Sequence, residues 1–183
     1  MSWTIDLYHT QIQFTARHMM ISKVRGQFEK FSGTVNLDEN NPVNTNLDIQ
    51  IETASVNTRE PKRDDHLRSA DFFNAEAYPT ITFKSKQVKV VDDLHAVLVG
   101  DLTIKGVAHE VNMDVEFTGK AKSPYGKISY GFTGSARINR KDWGLTWNVA
   151  LETGGWLVSD EIEISVEIEL VQVPEAVEAD LVA

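Results

Sequence analysis

The 183-residue chain contains no cysteine. That excludes a disulfide framework, a thiolate nucleophile, Cys-ligated zinc and iron–sulfur clusters, and it leaves the redox compartment open. Basic charge is also scarce: 18 Lys and Arg stand against 27 Asp and Glu, a formal charge of −9. Such a balance argues against a phosphate backbone, and on average against an anionic membrane surface. No window approaches the ~20 apolar residues of a membrane-spanning helix. The start, Met1-Ser2-Trp3-Thr4-Ile5-Asp6-Leu7, lacks the basic and apolar stretches of a secretory leader. A native N-terminus therefore leads to the expectation of a cytoplasmic protein, and a removed leader to a periplasmic one. The five histidines, His9, His18, His66, His95 and His109, show no His-x-His or His-x-x-x-His spacing, so no metal site is expected. A Gly-x-Ser-x-Gly elbow, a P-loop and a dinucleotide-binding glycine turn are absent as well. Internal repeats and a domain linker are likewise missing, and the chain reads as one domain over 1–173 followed by a frayed acidic tail, 174–183.

What the sequence has is alternation. From 127 to 139, Ile128, Tyr130, Phe132, Gly134, Ala136 and Ile138 share one face while Ser129, Thr133, Ser135, Arg137 and Asn139 take the other. From 160 to 171, Ile162, Ile164, Val166, Ile168 and Leu170 alternate with Glu161, Glu163, Ser165, Glu167 and Glu169. A period of two with one apolar face is the pattern of half-buried antiparallel strands. The same reading gives inner faces at Ile12, Phe14, Ala16 and His18; Phe31, Gly33, Val35 and Leu37; Leu47, Ile49, Ile51 and Thr53; Ile81 and Phe83; Ala96 to Ile104; and Val111 to Phe117. Turn residues separate these runs, for example Asp38 to Pro42 and Ser123-Pro124-Tyr125-Gly126. Eight strands in meander order predict an all-β, eight-stranded antiparallel barrel, since closure removes the sheet edges. Two stretches interrupt the alternation. Pro61 to about Asn74 predicts a short helix packed on the barrel, and Trp143 to Leu157 an irregular excursion.

An eight-stranded barrel is either filled by its own side chains or holds one small ligand. Small inner-face residues (Ala16, Gly33, Thr53, Gly100, Gly134, Ala136) interspersed with phenylalanines suit both a container and an interdigitated core. The densest polar cluster, Arg59 to Arg68, precedes Phe72-Phe73. One reading is structural: Asp64 and Asp65 favour the helix start, Arg68 pairs with one of them and the phenylalanines anchor the helix. In the other, Arg63 or His66 meets a ligand headgroup at the barrel mouth. His18, on an apolar face, needs a partner there. Asn139 and Arg140 end the best strand and either bond loop carbonyls or close the rim, while Trp143, Trp147 and Trp156 form a lid or an interface.

In this order and spacing the motifs are specific: Trp3-Thr4-Ile5-Asp6 with His9, Val24-Arg25-Gly26-Gln27-Phe28, Arg63 to Phe73, Tyr78-Pro79-Thr80-Ile81-Thr82-Phe83, Gly100 to Val107, and Ile138-Asn139-Arg140 before Trp143-Gly144. The chain resembles the YceI family of lipocalin-like, polyisoprenoid-binding proteins over nearly its whole length. The resemblance implies a barrel with an apolar pore that stores or transports a long-chain isoprenoid or related lipid, such as an isoprenoid quinone, without catalysis and without a cofactor. It also implies a homodimer. Carried over position by position, the pore is expected at Phe14, Ala16, Phe31, Ile49, Ile51, Phe72, Phe83, Leu102, Phe132 and Trp143, with polar contacts from His18, Asp64, His66, Asn139 and Arg140. Phe is more usual than Trp at 143. Two rival readings remain, an enzyme using His66 and Asp64 as acid and base on the same lipid, and an unliganded barrel whose tryptophan-bearing loop meets a partner protein.

Overall fold

The computed structural model describes residues 2–173, so the expected acidic tail lies outside the described residues. Eleven strands and one α-helix follow one another: β1 (Ser2–Ile5), β2 (Gln11–His18), β3 (Ser22–Phe28), β4 (Phe31–Asn36), β5 (Asn46–Glu52), β6 (Val56–Asn57), α1 (Pro61–Arg68), β7 (Thr80–Val90), β8 (His95–Ile104), β9 (Val107–Lys122), β10 (Ile128–Asn139) and β11 (Glu161–Val173). All ladders are antiparallel, in the order β4-β5-β7-β8-β9-β10-β11-β2-β3-β6, with β1 added to β11.

The eight long alternating runs correspond to β2, β4, β5 and β7 to β11; β1, β3 and β6 are additional. β3 eludes the pattern because one inward position is glycine. Val24, Gly26 and Phe28 stand opposite Ala16, Phe14 and Ile12, and a Cβ on Gly26 would lie 2.3 Å from Phe14 Cζ. The missing side chain is the seat of the Phe14 ring. Gly100 does the same for Phe83, whose Cζ would lie 2.5 Å from an added Cβ.

β3 and β4 are separated only by Glu29 and Lys30, yet β3 stays in the β2 ladder while β4 joins β5. The two ends of the sheet are thus linked through the chain itself. Backbone bonds from Glu29 N–H to the Ser55 carbonyl (3.2 Å) and from Glu52 N–H to the Lys30 carbonyl (2.9 Å) stitch the seam. Register shifts that leave Lys86 of β7 and Thr118 of β9 as extra residues bend β7 and β9 as the sheet curls. The result is a curled antiparallel barrel, as the alternation predicts.

The helix is shorter than the segment read from sequence. Pro61 stands at its first turn, the Glu60 carboxylate accepts from Arg63 N–H (2.5 Å), and Ser69 N–H closes it on the Asp65 and His66 carbonyls. Turns then carry the chain to β7, with Asn74 in the left-handed region at φ 50. Arg68 bonds Asp65 (3.0 Å) and the Ala54 and Val56 carbonyls (2.8 and 3.0 Å), which ties α1 to the wall. The irregular excursion begins with a single 3-10 turn, Arg140–Trp143, and Ala150 and Trp156 form an isolated bridge within it.

Candidate functional site

The inner faces do not fill the barrel. A cavity of about 200 Å³ is walled by β2 (Ile12, Phe14, Ala16), β5 (Ile49, Ile51), β7 and β8 (Phe83, Leu102), β11 (Ile162, Ile164) and the end cap (Leu67, Phe72, Phe73, Leu145, Val158). A second compartment of about 140 Å³, walled by Val35, Leu37, Val88, Phe132 and Gly134 among others, shares Leu47, Leu98, Met113, Val166 and Ile168 with the first. These shared residues make the two compartments one apolar tract through the barrel interior. At the β1 end Trp3, Val35, Tyr130 and Leu170 pack together, and Val35 and Leu170 of this cluster face the second compartment.

Among the described residues only Thr10, Gln13 and Arg140 bring polar side chains to the first compartment, and each is engaged elsewhere. Thr10 Oγ1 accepts from Glu169 N–H (3.2 Å), and Gln13 donates to Gln11 (2.8 Å). Arg140 is 3% exposed. Its guanidinium donates to the carbonyls of Leu145 (2.5 Å), Trp147 (2.9 Å) and Ser159 (2.9 Å), and lies 3.4 Å from the Asp160 carboxylate. Burial draws its pKa below the ordinary arginine value, opposed by Asp160. The buried fork organises the excursion from below, so of the two sequence readings the loop-carbonyl one describes it.

Of the expected wall residues, Phe14, Ala16, Phe31, Ile49, Ile51, Phe72, Phe83, Leu102 and Arg140 line the first compartment and Phe132 the second. The structure does not bring the other polar residues to the cavity. Asp64 is buried, but its Oδ1 accepts from the Thr58 backbone N–H (2.8 Å) and hydroxyl (2.6 Å), and Arg63 clamps the same threonine through its hydroxyl and carbonyl. His66 packs edge-on against Trp147 (4.6 Å) and Phe72 (5.0 Å) with Nε2 3.0 Å from Asp71. Asn139 is exposed and caps Lys141 N–H (3.0 Å). His18, half-buried at the end of β2, makes a backbone bridge to Val158 and lines neither compartment. Trp143 is 2% exposed, donates Nε1–H to the Leu102 carbonyl (3.0 Å) and belongs to the packed wall. The three tryptophans of the excursion therefore form no single lid: Trp143 is core, Trp147 latches the excursion to α1, and Trp156 is 51% exposed.

Sequence reasoning placed Ile162 and Ile164 on an inner face without carrying them to the site. Leu145 and Val158 carry no periodic signal, because they sit in irregular chain. Spacing also hid one side-chain grouping: Asp6, His9 and Glu169 each place a ligand-type atom within 4.8 Å of the others. Asp6 Oδ1 already accepts from the Tyr8 and His9 N–H groups (2.9 and 3.3 Å), and Oδ2 lies 3.1 Å from His9 Nδ1. Burial alone would raise the Asp6 pKa, but the bonds from His9 and Tyr8 outweigh it and bring it down, while the Asp6 bond pushes His9 up. No helix among the described residues is long and apolar enough to cross a membrane.

Known proteins share this architecture. A UPF0312 protein of Staphylococcus aureus (strain MSSA476) is 37% identical over 169 residues, 92% of this chain and 96% of its own. The crystal structure of the Campylobacter jejuni YCEI protein superposes with a TM-score of 0.76 at 34% identity, covering 86% of this chain and 90% of that one. A domain from Saccharophagus degradans, described as polyisoprenoid binding and implicated in plant cell wall breakdown, superposes at 0.67 with 14% identity over 94% of this chain and 99% of its own, a likeness of fold. The YceI-like domain matches residues 3–170, and with a barrel of this topology around an apolar tract the chain belongs to the YceI-like family.

Proposed function

We propose that this protein binds a long-chain isoprenoid or related lipid, tail inward, and stores or carries it without covalent chemistry. The observation that carries the reading is the continuous apolar tract, whose one buried cation, Arg140, already bonds three backbone carbonyls. A pocket this poor in polar side chains rewards apolar area and is indifferent to headgroup chemistry. The description of the Saccharophagus degradans domain as polyisoprenoid binding supports the same reading.

Size sets the ligand class. A benzene ring fits a cavity of about 150 Å³, so compartments of about 200 and 140 Å³ together hold on the order of fifteen carbons, roughly three isoprene units. At about 0.8 kcal/mol per buried methylene, that burial contributes roughly 12 kcal/mol before costs. Association costs about 4–15 kcal/mol. One isoprene unit, at about 4 kcal/mol, only matches the low end of that cost, whereas three exceed most of its range, and a longer chain leaves its remainder outside. Affinity for prenyl alcohols should therefore climb steeply up to about three units and level off beyond.

Enzymatic use of His66 and Asp64 is not part of the proposal, since the two are held by Asp71 and Thr58. The test is uptake of prenyl alcohols by the wild type, Ala16→Trp and His66→Ala, with circular dichroism to verify the fold. Uptake lost in Ala16→Trp and kept in His66→Ala is the expected result. Unchanged uptake in Ala16→Trp would overturn the internal site.

A further inference from the structure

The tip of the β2–β3 hairpin inverts ordinary turn chemistry. Met19-Met20-Ile21 connects the strands, and these side chains are 41%, 57% and 80% exposed. Met19 and Met20 have φ values of 52 and 65, the left-handed region that glycine and asparagine normally occupy in a turn. A tip that accepts backbone strain in order to present methionine and isoleucine to the outside points to a use for those side chains.

The tip does not stand alone. Met19 N–H donates to the Leu157 carbonyl (2.8 Å), and a Cβ on Gly155 would lie 3.6 Å from Met20 Cγ, so the hairpin and the loop bearing Trp156 form one platform. Trp156 and Val149, 51% and 46% exposed, extend its apolar surface. Directly behind the tip, Arg17 and Lys23 are cross-strand partners, and Arg25 follows opposite Thr15. No carboxylate occurs between Gln11 and Phe28, in a chain whose net charge is −9. Glu163 takes Lys23 (3.3 Å), while Arg17 and Arg25 have no ion pair among the described residues. Glu152 and Glu161 are the exposed acids on the flanking chain.

Apolar side chains at the tip, an exposed tryptophan beside them and cations one step behind match an interfacial anchor in a membrane with anionic headgroups. The other end of the barrel also exposes apolar residues, Leu7, Tyr8, Leu94 and Tyr125. There they are interleaved with Asp38, Glu39, Asp92 and Asp93 as well as Lys122 and Lys127. Ala16 and Val158, which adjoin the two platform loops, line the cavity. We propose that the Met19–Ile21 tip and Trp156 insert into an anionic lipid surface, with Arg17 and Arg25 on the headgroups, and dock the cavity's end against the bilayer that supplies or receives the lipid. The purpose of docking rests on the lipid-carrier reading; the docking itself does not.

The experiment is co-sedimentation of the full chain with vesicles of phosphatidylcholine alone or mixed with phosphatidylglycerol, alongside prenyl alcohol uptake. Wild type should bind the mixed vesicles and lose them as salt rises. Arg17→Gln and Arg25→Gln should each weaken binding by roughly fivefold, from about 1 kcal/mol per cation near the surface. Met20→Ser with Ile21→Ser should abolish binding while uptake persists, and Ala16→Trp should bind vesicles while losing uptake. Wild type that ignores both vesicle types, or serine variants that bind like wild type, would overturn the docking and leave the carrier reading standing. Uptake that fails in a wild type that still binds vesicles would remove the carrier reading alone. A tip whose serine substitution dissolves a dimer without changing vesicle binding would be a self-association surface, and the proposal would fall.

Discussion

Arg140 shows how much one buried side chain can organise. Its fork reaches three carbonyls on two segments of the excursion, and a lysine, with a single ammonium at the end of a flexible stem, cannot reproduce that geometry. Leaving buried carbonyls unpaired costs about 1–3 kcal/mol each. Arg140→Lys should therefore destabilise the fold by roughly 2–4 kcal/mol, a fall in Tm of about 5–12 °C for a domain of this size, measurable by thermal unfolding. Tyr130 offers a second reading at the same scale. Its hydroxyl bonds the Glu39 carboxylate, and that bond, with burial, raises its pKa from 10.0 to about 12. Because the folded value lies above the unfolded one, this contribution to stability is fully present below pH 10 and is lost as pH rises from about 10 toward 12. Of the four tyrosines, Tyr130 should ionise last in an ultraviolet titration. Glu39→Gln should return it toward the others.

Among elements, α1 and the excursion work as a pair. Trp147 stands between His66 (4.6 Å) and Phe72 (5.3 Å), and Phe72 is itself a cavity wall. Trp147→Ala should free the end cap, giving faster hydrogen exchange in α1 and faster lipid release, with the strands unaffected. The long strands were legible from sequence because one face is apolar and the other wet; Ile162 to Leu170 against Glu161 to Glu169 leave no second interpretation. β3 was hidden because Gly26 replaces an apolar residue to admit a ring from β2, a long-range requirement that a local period cannot carry. The length of α1 was overestimated since Phe72 and Phe73 lie near helical spacing but reach the cavity through turns. Asp64 and Asn139 lie off the cavity and Arg140 lines it, yet all three satisfy backbone groups, and nothing in their sequence spacing separates that work from ligand contact.

The molecule as a whole separates two kinds of surface. Carboxylates outnumber cations in the chain by 27 to 18, the interior tract is nearly devoid of polar side chains, and the acid-free β2–β3 hairpin stands at one end of the barrel. The sequence legibly contained the barrel and its inner phenylalanines. It left open whether small residues filled the interior or emptied it, and the structure divides them: Gly100 seats Phe83 and Gly134 seats Met113, while Ala16 borders the cavity. That open space is the basis of the carrier reading. The most direct test is native mass spectrometry of protein purified without detergent, set beside mass spectra of its organic extract. The account predicts one apolar molecule per chain, with a prenyl-type tail of at least about three isoprene units, absent from Ala16→Trp. Protein that carries no such species and takes up no prenyl lipid when offered one would contradict it.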